Sequence, residues 1–188
     1  MKKSFAFLSS LALTLPAIAA LDIGDSAPAF EAKASLAGEE FEYSLADALA
    51  EGPVVVYFYP SAYTQGCNIQ AHEFATQMDD FVDAGASVIG VSLDSIERLN
   101  DFSADPEYCA GRLAVASDPD GAIARSYQLE VRAGRDGITD TRGVEIGHGF
   151  AERTTFVVTP DGEVSHTIGG VSPIENVQKS LEAVRSLN

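Results

Sequence analysis

The stretch that most constrains the fold is Val54–Phe74, VVVYFYPSAYTQGCNIQAHEF. It opens on a run of β-branched and aromatic residues, the composition of a buried strand. Pro60 ends that strand, because it has no backbone N–H and a fixed φ. A polar turn through Ser61, Thr64, Gln65 and Gly66 follows, and Cys67 stands where a helix should begin. From there Ala71, Phe74, Ala75, Met78 and Phe81 recur at three- and four-residue intervals, which predicts one apolar helical face running on to about Gly85. A thiol at such a junction meets the positive end of the helix dipole and N–H groups without helical acceptors, and both favour its thiolate.

The chain has 188 residues, enough for one domain with a sizeable core. Its first residues read as something else. Lys2 and Lys3 precede an apolar run, Phe5–Leu15, and Pro16 leads into Ala17-Ile18-Ala19, an A-x-A cleavage signal. The apolar run is shorter than the roughly 20 residues a membrane-spanning helix needs. The expectation is a cleaved signal peptide, residues 1–19, and an exported, periplasmic domain, residues 20–188. Removal of the leader would leave ten basic against 28 acidic side chains, a formal charge of −18. That surface repels phosphate backbones and anionic lipid heads, so nucleic acid and membrane partners are disfavoured, while a neutral oxidant would be indifferent to it.

Two cysteines in an exported chain can make one structural disulfide. Cys67 and Cys109 lie 42 positions apart and form no C-x-x-C, which counts against a thioredoxin-type disulfide exchanger. His72, His148 and His166 are scattered, so no zinc-binding cluster is visible and no cofactor is implied.

Along the chain, Leu21–Ala29 reads as an extended arm, and Phe30–Ser35 with Glu39–Tyr43 as a hairpin around Ala37-Gly38. Ser44–Leu49 is a short helical turn. Beyond the central strand and helix come a strand at Ala86–Ser92, a helix at Ile96–Phe102 that Ser95 can cap, and a strand at Leu113–Ala116. Ser117–Gly121 is a turn and Ala122–Leu129 a short helix. Val131–Gly149, rich in Gly, Arg and Asp, reads as an inserted loop with a short hairpin. Thr154–Thr159 and Glu163–Ile168 form an antiparallel pair around Pro160-Asp161-Gly162, and Pro173 opens a terminal helix. The alternation predicts an α/β domain: a central mixed sheet, helices on both faces and an N-terminal β-hairpin.

Pro60-x-x-x-Thr64-x-x-Cys67 directly after an apolar strand resembles the active-site signature of the peroxiredoxins, and FYPSAYTQGC is similar to the peroxiredoxin Q, or bacterioferritin comigratory protein, branch. The resemblance continues through SLD at Ser92–Asp94, SDPDG at Ser117–Gly121, SYQL at Ser126–Leu129 and RTTFVVTPDGEV at Arg153–Val164. It implies a thioredoxin-like fold and a thiol peroxidase that reduces hydrogen peroxide and organic hydroperoxides without metal, flavin or haem. Electrons would come from a thioredoxin-like or other dithiol reductant, and the protein would be a monomer or homodimer. By that resemblance Cys67 is the peroxidatic cysteine and passes through a sulfenic acid. Thr64 holds the peroxide through a hydroxyl that donates and accepts, Pro60 shields the sulfur, and Arg153 brings a permanent positive charge to sulfur and oxygen.

The sequence departs from the branch in two places. His72 occupies the position, five after Cys67, where many members carry a second cysteine, and Gln65 replaces the usual proline before Gly66. Cys109 lies in the region where other members carry the resolving cysteine, and the resemblance gives it that role. The competing reading is a buried inert thiol, or a non-catalytic exported thioredoxin-fold binding module with a structural Cys67–Cys109 bond. The histidines are weak signals: His72 faces solvent or the thiol pocket with a structural use favoured, His148 is more readily structural than a residue of the site mouth, and His166 is structural.

Overall fold

The computed structural model describes residues 20–187; the leader expected at residues 1–19 lies outside the described residues. The first elements are β1 (Glu31–Leu36) and β2 (Glu39–Ser44), an antiparallel hairpin closed by Ala37 and Gly38. Both turn residues have positive φ, 53° and 85°, as a two-residue turn matched to strand twist requires. Ser44 then caps α1 (Leu45–Glu51), its hydroxyl accepting from the Asp47 N–H.

Next come β3 (Val54–Phe58), α2 (Gln65–Thr76), α3 (Met78–Asp83) and β4 (Ser87–Ser92), followed by α4 (Ile96–Ala104), β5 (Ala114–Ser117) and α5 (Ala122–Ser126). A two-stranded ribbon, β6 (Val131–Arg132) with β7 (Phe150–Ala151), closes off the inserted segment. The chain ends with β8 (Thr154–Val158), β9 (Val164–Gly169) and α6 (Pro173–Arg185), the last capped by Ser172 with Pro173 in its first turn.

Seven strands make one mixed sheet in the order β2-β1-β5-β4-β3-β8-β9. β3, β4 and β5 run parallel, while β8 lies antiparallel to β3. β3 is therefore central, and all five of its side chains are buried. They alternate between two cores. Val55 and Tyr57 join Phe74, Phe81, Leu99, Phe102 and Val177 of α2, α3, α4 and α6. Val54, Val56 and Phe58 join Leu45, Ala124, Tyr127 and Phe156 on the other face. Helices thus cover both faces, as the alternation of elements predicts.

The helix expected to run unbroken to Gly85 instead breaks at Gln77 (φ −95°, ψ 10°). The periodicity survives because α3 resumes at once, and the bend brings Phe81 onto Phe74 with ring centroids 5.6 Å apart. Apolar spacing alone does not register a one-residue change of axis when both halves face the same core.

The β3–β8 register positions the site. Phe58 pairs with Thr154, so Arg153 stands one residue beyond the pair, level with the chain as it leaves β3 toward Pro60. Phe156, fully buried, packs on Phe58 at 6.0 Å and Tyr127 at 5.2 Å and anchors this junction. Phe156→Ala should cost about 3–5 kcal/mol in urea unfolding; a loss below about 1 kcal/mol would contradict this packing.

Candidate active site

Tyr59 makes one more sheet hydrogen bond, to Val91 O at 3.1 Å, and Pro60 then ends the ladder. The loop that follows is bent around the fully buried Asp94 carboxylate. It accepts from Ala62 N at 2.7 Å, Ser61 Oγ at 2.8 Å and Ser92 Oγ at 2.7 Å. It also pairs with Arg98 Nε at 2.8 Å and His148 Nε2 at 2.9 Å. Burial pushes Asp94 up, but the bonds to His148 and to the N–H and O–H donors outweigh it and hold the carboxyl below its usual range. Burial pushes His148 down, and the bond to Asp94 outweighs that and raises it.

Tyr63, just before α2, has φ 60°, a left-handed conformation costing a bulky residue roughly 1–2 kcal/mol. The inserted segment holds it there. Thr141 donates to Tyr63 O through both its N–H (2.9 Å) and its hydroxyl (2.7 Å). The Arg142 guanidinium lies 3.2 Å over the Tyr63 ring. Asp140 secures both arginines, accepting from Arg98 Nη2 at 2.8 Å and Arg142 Nη2 at 3.1 Å.

Thr64 is the N-cap of α2, yet its hydroxyl makes no capping bond. It donates to Ser61 O at 2.8 Å instead, which leaves its oxygen free to accept from a ligand. Cys67 is the third residue of α2, within the turn whose N–H groups lack intrahelical acceptors. Its side chain is buried, and Arg153 Nη2 donates to Sγ at 3.2 Å. Gly66 permits that approach, since a Cβ there would stand 3.1 Å from Arg153 Nη2. Arg153 Nη1 donates to Oε1 of Gln70, one helical turn beyond Cys67. Pro60, Thr64, Cys67 and Arg153 therefore converge on one end of the sheet.

Pro60 and Arg153 also edge a groove of about 460 Å³ whose other walls include Arg132, Ile138, Phe150 and Arg135. A sulfur nucleophile, a donor-only cation, an acceptor hydroxyl and an apolar wall suit attack on a polarised oxygen that leaves with negative charge.

Cys109 does not join them at the surface of the site. It lies on the turns after α4, wholly buried in the core cluster that also holds Cys67. Burial, and then the Asp105 carboxylate, push its thiol far above the usual range. The two cysteines are unbonded. Tyr57 lies in the same core cluster, and burial raises its hydroxyl well above the usual range. Next to this segment, His72 Nδ1 bonds Glu107 O at 2.9 Å and ties α2 to the Cys109 turns. His148 is bound into the Asp94 cluster behind the loop, and His166 on β9 contacts Ser165.

Gln70, the clamping role of Asp94 and the grip of the inserted segment on Tyr63 are absent from the sequence-based expectations. Gln70 carried a signal: it is a polar residue three positions from Cys67 on the helical stripe that includes Ala71 and Phe74, and the structure buries it completely. Thr141 carried none, because its partner is a backbone oxygen 78 residues away.

Comparisons with known proteins bear on the family and the fold. Residues 23–167 match the AhpC/TSA family. A peroxiredoxin-named protein of Mycobacterium tuberculosis is 36% identical over 141 residues, covering 75% of this chain and 80% of that protein. Peroxiredoxin Bcp of Escherichia coli is 30% identical over 146 residues, covering 78% of this chain and 84% of its own. Among solved structures, peroxidoxin BcpB of Mycobacterium tuberculosis superposes with a TM-score of 0.73 at 28% identity, over 88% of this chain and 97% of that one. The bacterioferritin comigratory protein of Xanthomonas campestris, whose structures concern alkyl peroxide reduction, gives 0.64 at 27% identity over 82% and 90%.

The His148–Asp94 pair makes stability depend on pH in a definite direction. His148 is raised on folding, so its contribution is complete below about pH 6.5, the unfolded value, and is lost as pH rises through the higher folded value. Asp94 is lowered, so its share is lost only at acid pH, below the unfolded carboxylate value of about 3.9. In urea unfolding, the advantage of wild type over His148→Ala should shrink between pH 6 and pH 8.5. A difference that grew with pH would contradict the pairing.

Proposed function

As a member of the AhpC/TSA family of peroxiredoxins, the chain is a thiol-dependent peroxidase, and we propose that Cys67 is its peroxidatic residue. The observation that carries this assignment is the 3.2 Å bond from Arg153 Nη2 to Cys67 Sγ at the first turn of α2. Sulfur attacks the terminal peroxide oxygen, the O–O bond breaks, and the departing oxygen takes its electron pair and a proton to leave as water or an alcohol. Cys67 becomes a sulfenic acid. Arg153 stabilises charge on sulfur and then on the leaving oxygen. Thr64 accepts from the peroxide O–H, and Pro60 excludes water. The groove beside Pro60 and Arg153 gives an organic hydroperoxide room for its carbon chain. Alkyl peroxide reduction by the Xanthomonas protein supports that substrate class.

Cys109 is proposed as the resolving cysteine. Its thiol attacks the Cys67 sulfenic sulfur, releasing water and leaving a disulfide, which a thioredoxin-like dithiol then reduces. A wholly buried thiol held above its usual range is a poor nucleophile. Resolution therefore requires the segment Ser103–Arg112 to loosen and the first turn of α2 to unwind. The local chain supports such movement: turns replace regular structure there, and Ala110 and Gly111 are consecutive left-handed residues (φ 51° and 67°). The bond from His72 to Glu107 O must break on the way. The pattern of residues 1–19 supports export and a periplasmic location. The non-catalytic module is not favoured, since the similar chains are peroxiredoxins.

Peroxide consumption with a generic dithiol donor, measured for wild type, Cys67→Ser and Cys109→Ser, tests both roles. Cys67→Ser should abolish turnover. Cys109→Ser should still react once with peroxide and then stop or over-oxidise. Peptide mapping of wild type after one equivalent of peroxide should show an intramolecular Cys67–Cys109 link. Oxidised protein with Cys109 still free would overturn internal resolution.

A further inference from the structure

Behind the reactive sulfur lies a chain of buried polar side chains that the mechanism above does not use. Gln70 and Thr155 are completely buried and Asn176, in the first part of α6, is 1% exposed. Gln70 Nε2 donates to Asn176 Oδ1 at 2.9 Å, and Thr155 Oγ1 donates to the same oxygen at 2.7 Å. Asn176 Nδ2 donates to Ile168 O on β9 at 3.1 Å. At the other end, Gln70 Oε1 accepts from Arg153 Nη1. The whole series therefore runs from the backbone of β9, through α6 and α2, to the guanidinium that bonds Cys67.

The two ends of this series cannot be reversed. A guanidinium only donates, and a backbone carbonyl only accepts. Between them stand two primary amides, each with one donating and one accepting face. Asn176 must turn its nitrogen to Ile168 O, so its oxygen faces Gln70. Gln70 must then turn its nitrogen to Asn176, so its oxygen faces Arg153. Flipping either amide alone sets oxygen against oxygen or N–H against N–H among buried side chains, which leaves both groups desolvated and unpaired. The fixed carbonyl of Ile168 thus selects the rotamer of an amide two residues along the series.

We propose that Asn176 is a positioning residue for the peroxidase reaction, orienting Gln70 so that Gln70 Oε1 holds Arg153 Nη1 and leaves Nη2 directed at the Cys67 sulfur. This rests on the assignment of Cys67 and Arg153 made above. Arg153 precedes β8 and reaches the sulfur on a long side chain with many rotamers, so one fixed acceptor on the second nitrogen removes much of its freedom. Thr155, two residues from Arg153 in the chain, steadies Asn176 Oδ1 from the strand side. Loss of Asn176 frees Gln70 to rotate, and a small displacement of a charge-stabilising group is costly in rate.

The test is a double-mutant cycle on the second-order rate of peroxide reduction, using Asn176→Leu, Gln70→Met and the double variant, with thermal midpoints recorded for each. Asn176→Leu should slow the reaction roughly tenfold to a hundredfold and move the acid limb of its pH–rate profile to higher pH. Gln70→Met should do the same, and the double variant should be no slower than Gln70→Met alone, because Asn176 acts through Gln70. Asn176→Asp serves if Asn176→Leu does not fold. A buried carboxyl takes up a proton and again presents one acceptor and one donor, so this variant should keep the rate within about threefold of wild type while Gln70→Met is slow. A folded Asn176→Leu with wild-type rate and profile, multiplicative losses in the double variant, or an Asn176→Asp as slow as Gln70→Met would overturn the relay. Wild type that failed to reduce peroxide would instead overturn the assignment of function on which it rests.

Discussion

The contact on which the site depends is the hydrogen bond from the Arg153 guanidinium to the Cys67 sulfur. Two parts of the chain 86 residues apart must meet for it to exist, and three features make them meet. The register of β3 against β8 sets Arg153 level with the end of β3. Pro60 stops β3 there, so that α2 begins beside the arginine rather than further along the sheet. Gly66 keeps the first turn of α2 bare where the guanidinium crosses it. A half-buried cation beside a thiol is better held when a second donor also finds an acceptor, and Gln70 supplies that partner.

The two sides of the site are held by different kinds of contact, and the proposed resolution of the sulfenic acid draws on that difference. On one side the Pro60–Thr64 turn is clamped. Asp94 gathers Ser61, Ala62, Ser92, Arg98 and His148, while Thr141, Asp140 and Arg142 of the inserted segment secure Tyr63 in its left-handed conformation. Strain of this kind persists only where the surroundings over-determine it. On the other side, the turns that carry Cys109 are closed by local backbone bonds, such as Ala110 N to Asp105 O and Gly111 N to Ser103 O, and joined to α2 by His72 and to Tyr63 and Phe102 by the Tyr108 ring. In the proposed resolution step it is this second side that has to open, because Cys109 is wholly buried within it.

Much of this could be read from the amino acids in order. β3 is visible because a strand buried on both faces must be apolar without interruption. Cys67 is visible because the strand's end and the helix's start are marked by Pro60 and Thr64. The hairpin follows from Ala37-Gly38, and α6 from Ser172-Pro173. What could not be read is the pairing of side chains distant in sequence. Asp94 looked like one letter of a short match, and only packing shows that it collects donors from three separate segments. His148 is a weak signal in the sequence, and its pairing with that carboxylate, 54 residues away, appears only in the structure. Gln70 and Asn176 interrupt apolar helical stripes, which marks them as odd without saying what they bind. The bend at Gln77 was hidden because both halves of the helix bury the same face.

The rate of the first step in Arg153 variants measures the central contact directly. Stopped-flow oxidation of Cys67 by hydrogen peroxide at neutral pH should be slower in Arg153→Met than in wild type by about 100-fold to 1000-fold, the loss expected when one aimed donor to a developing anion is removed. Arg153→Lys should recover only part of that loss, because an ammonium cannot bond Gln70 and the sulfur with one planar fork. A folded Arg153→Met protein that kept the wild-type second-order rate would contradict the account.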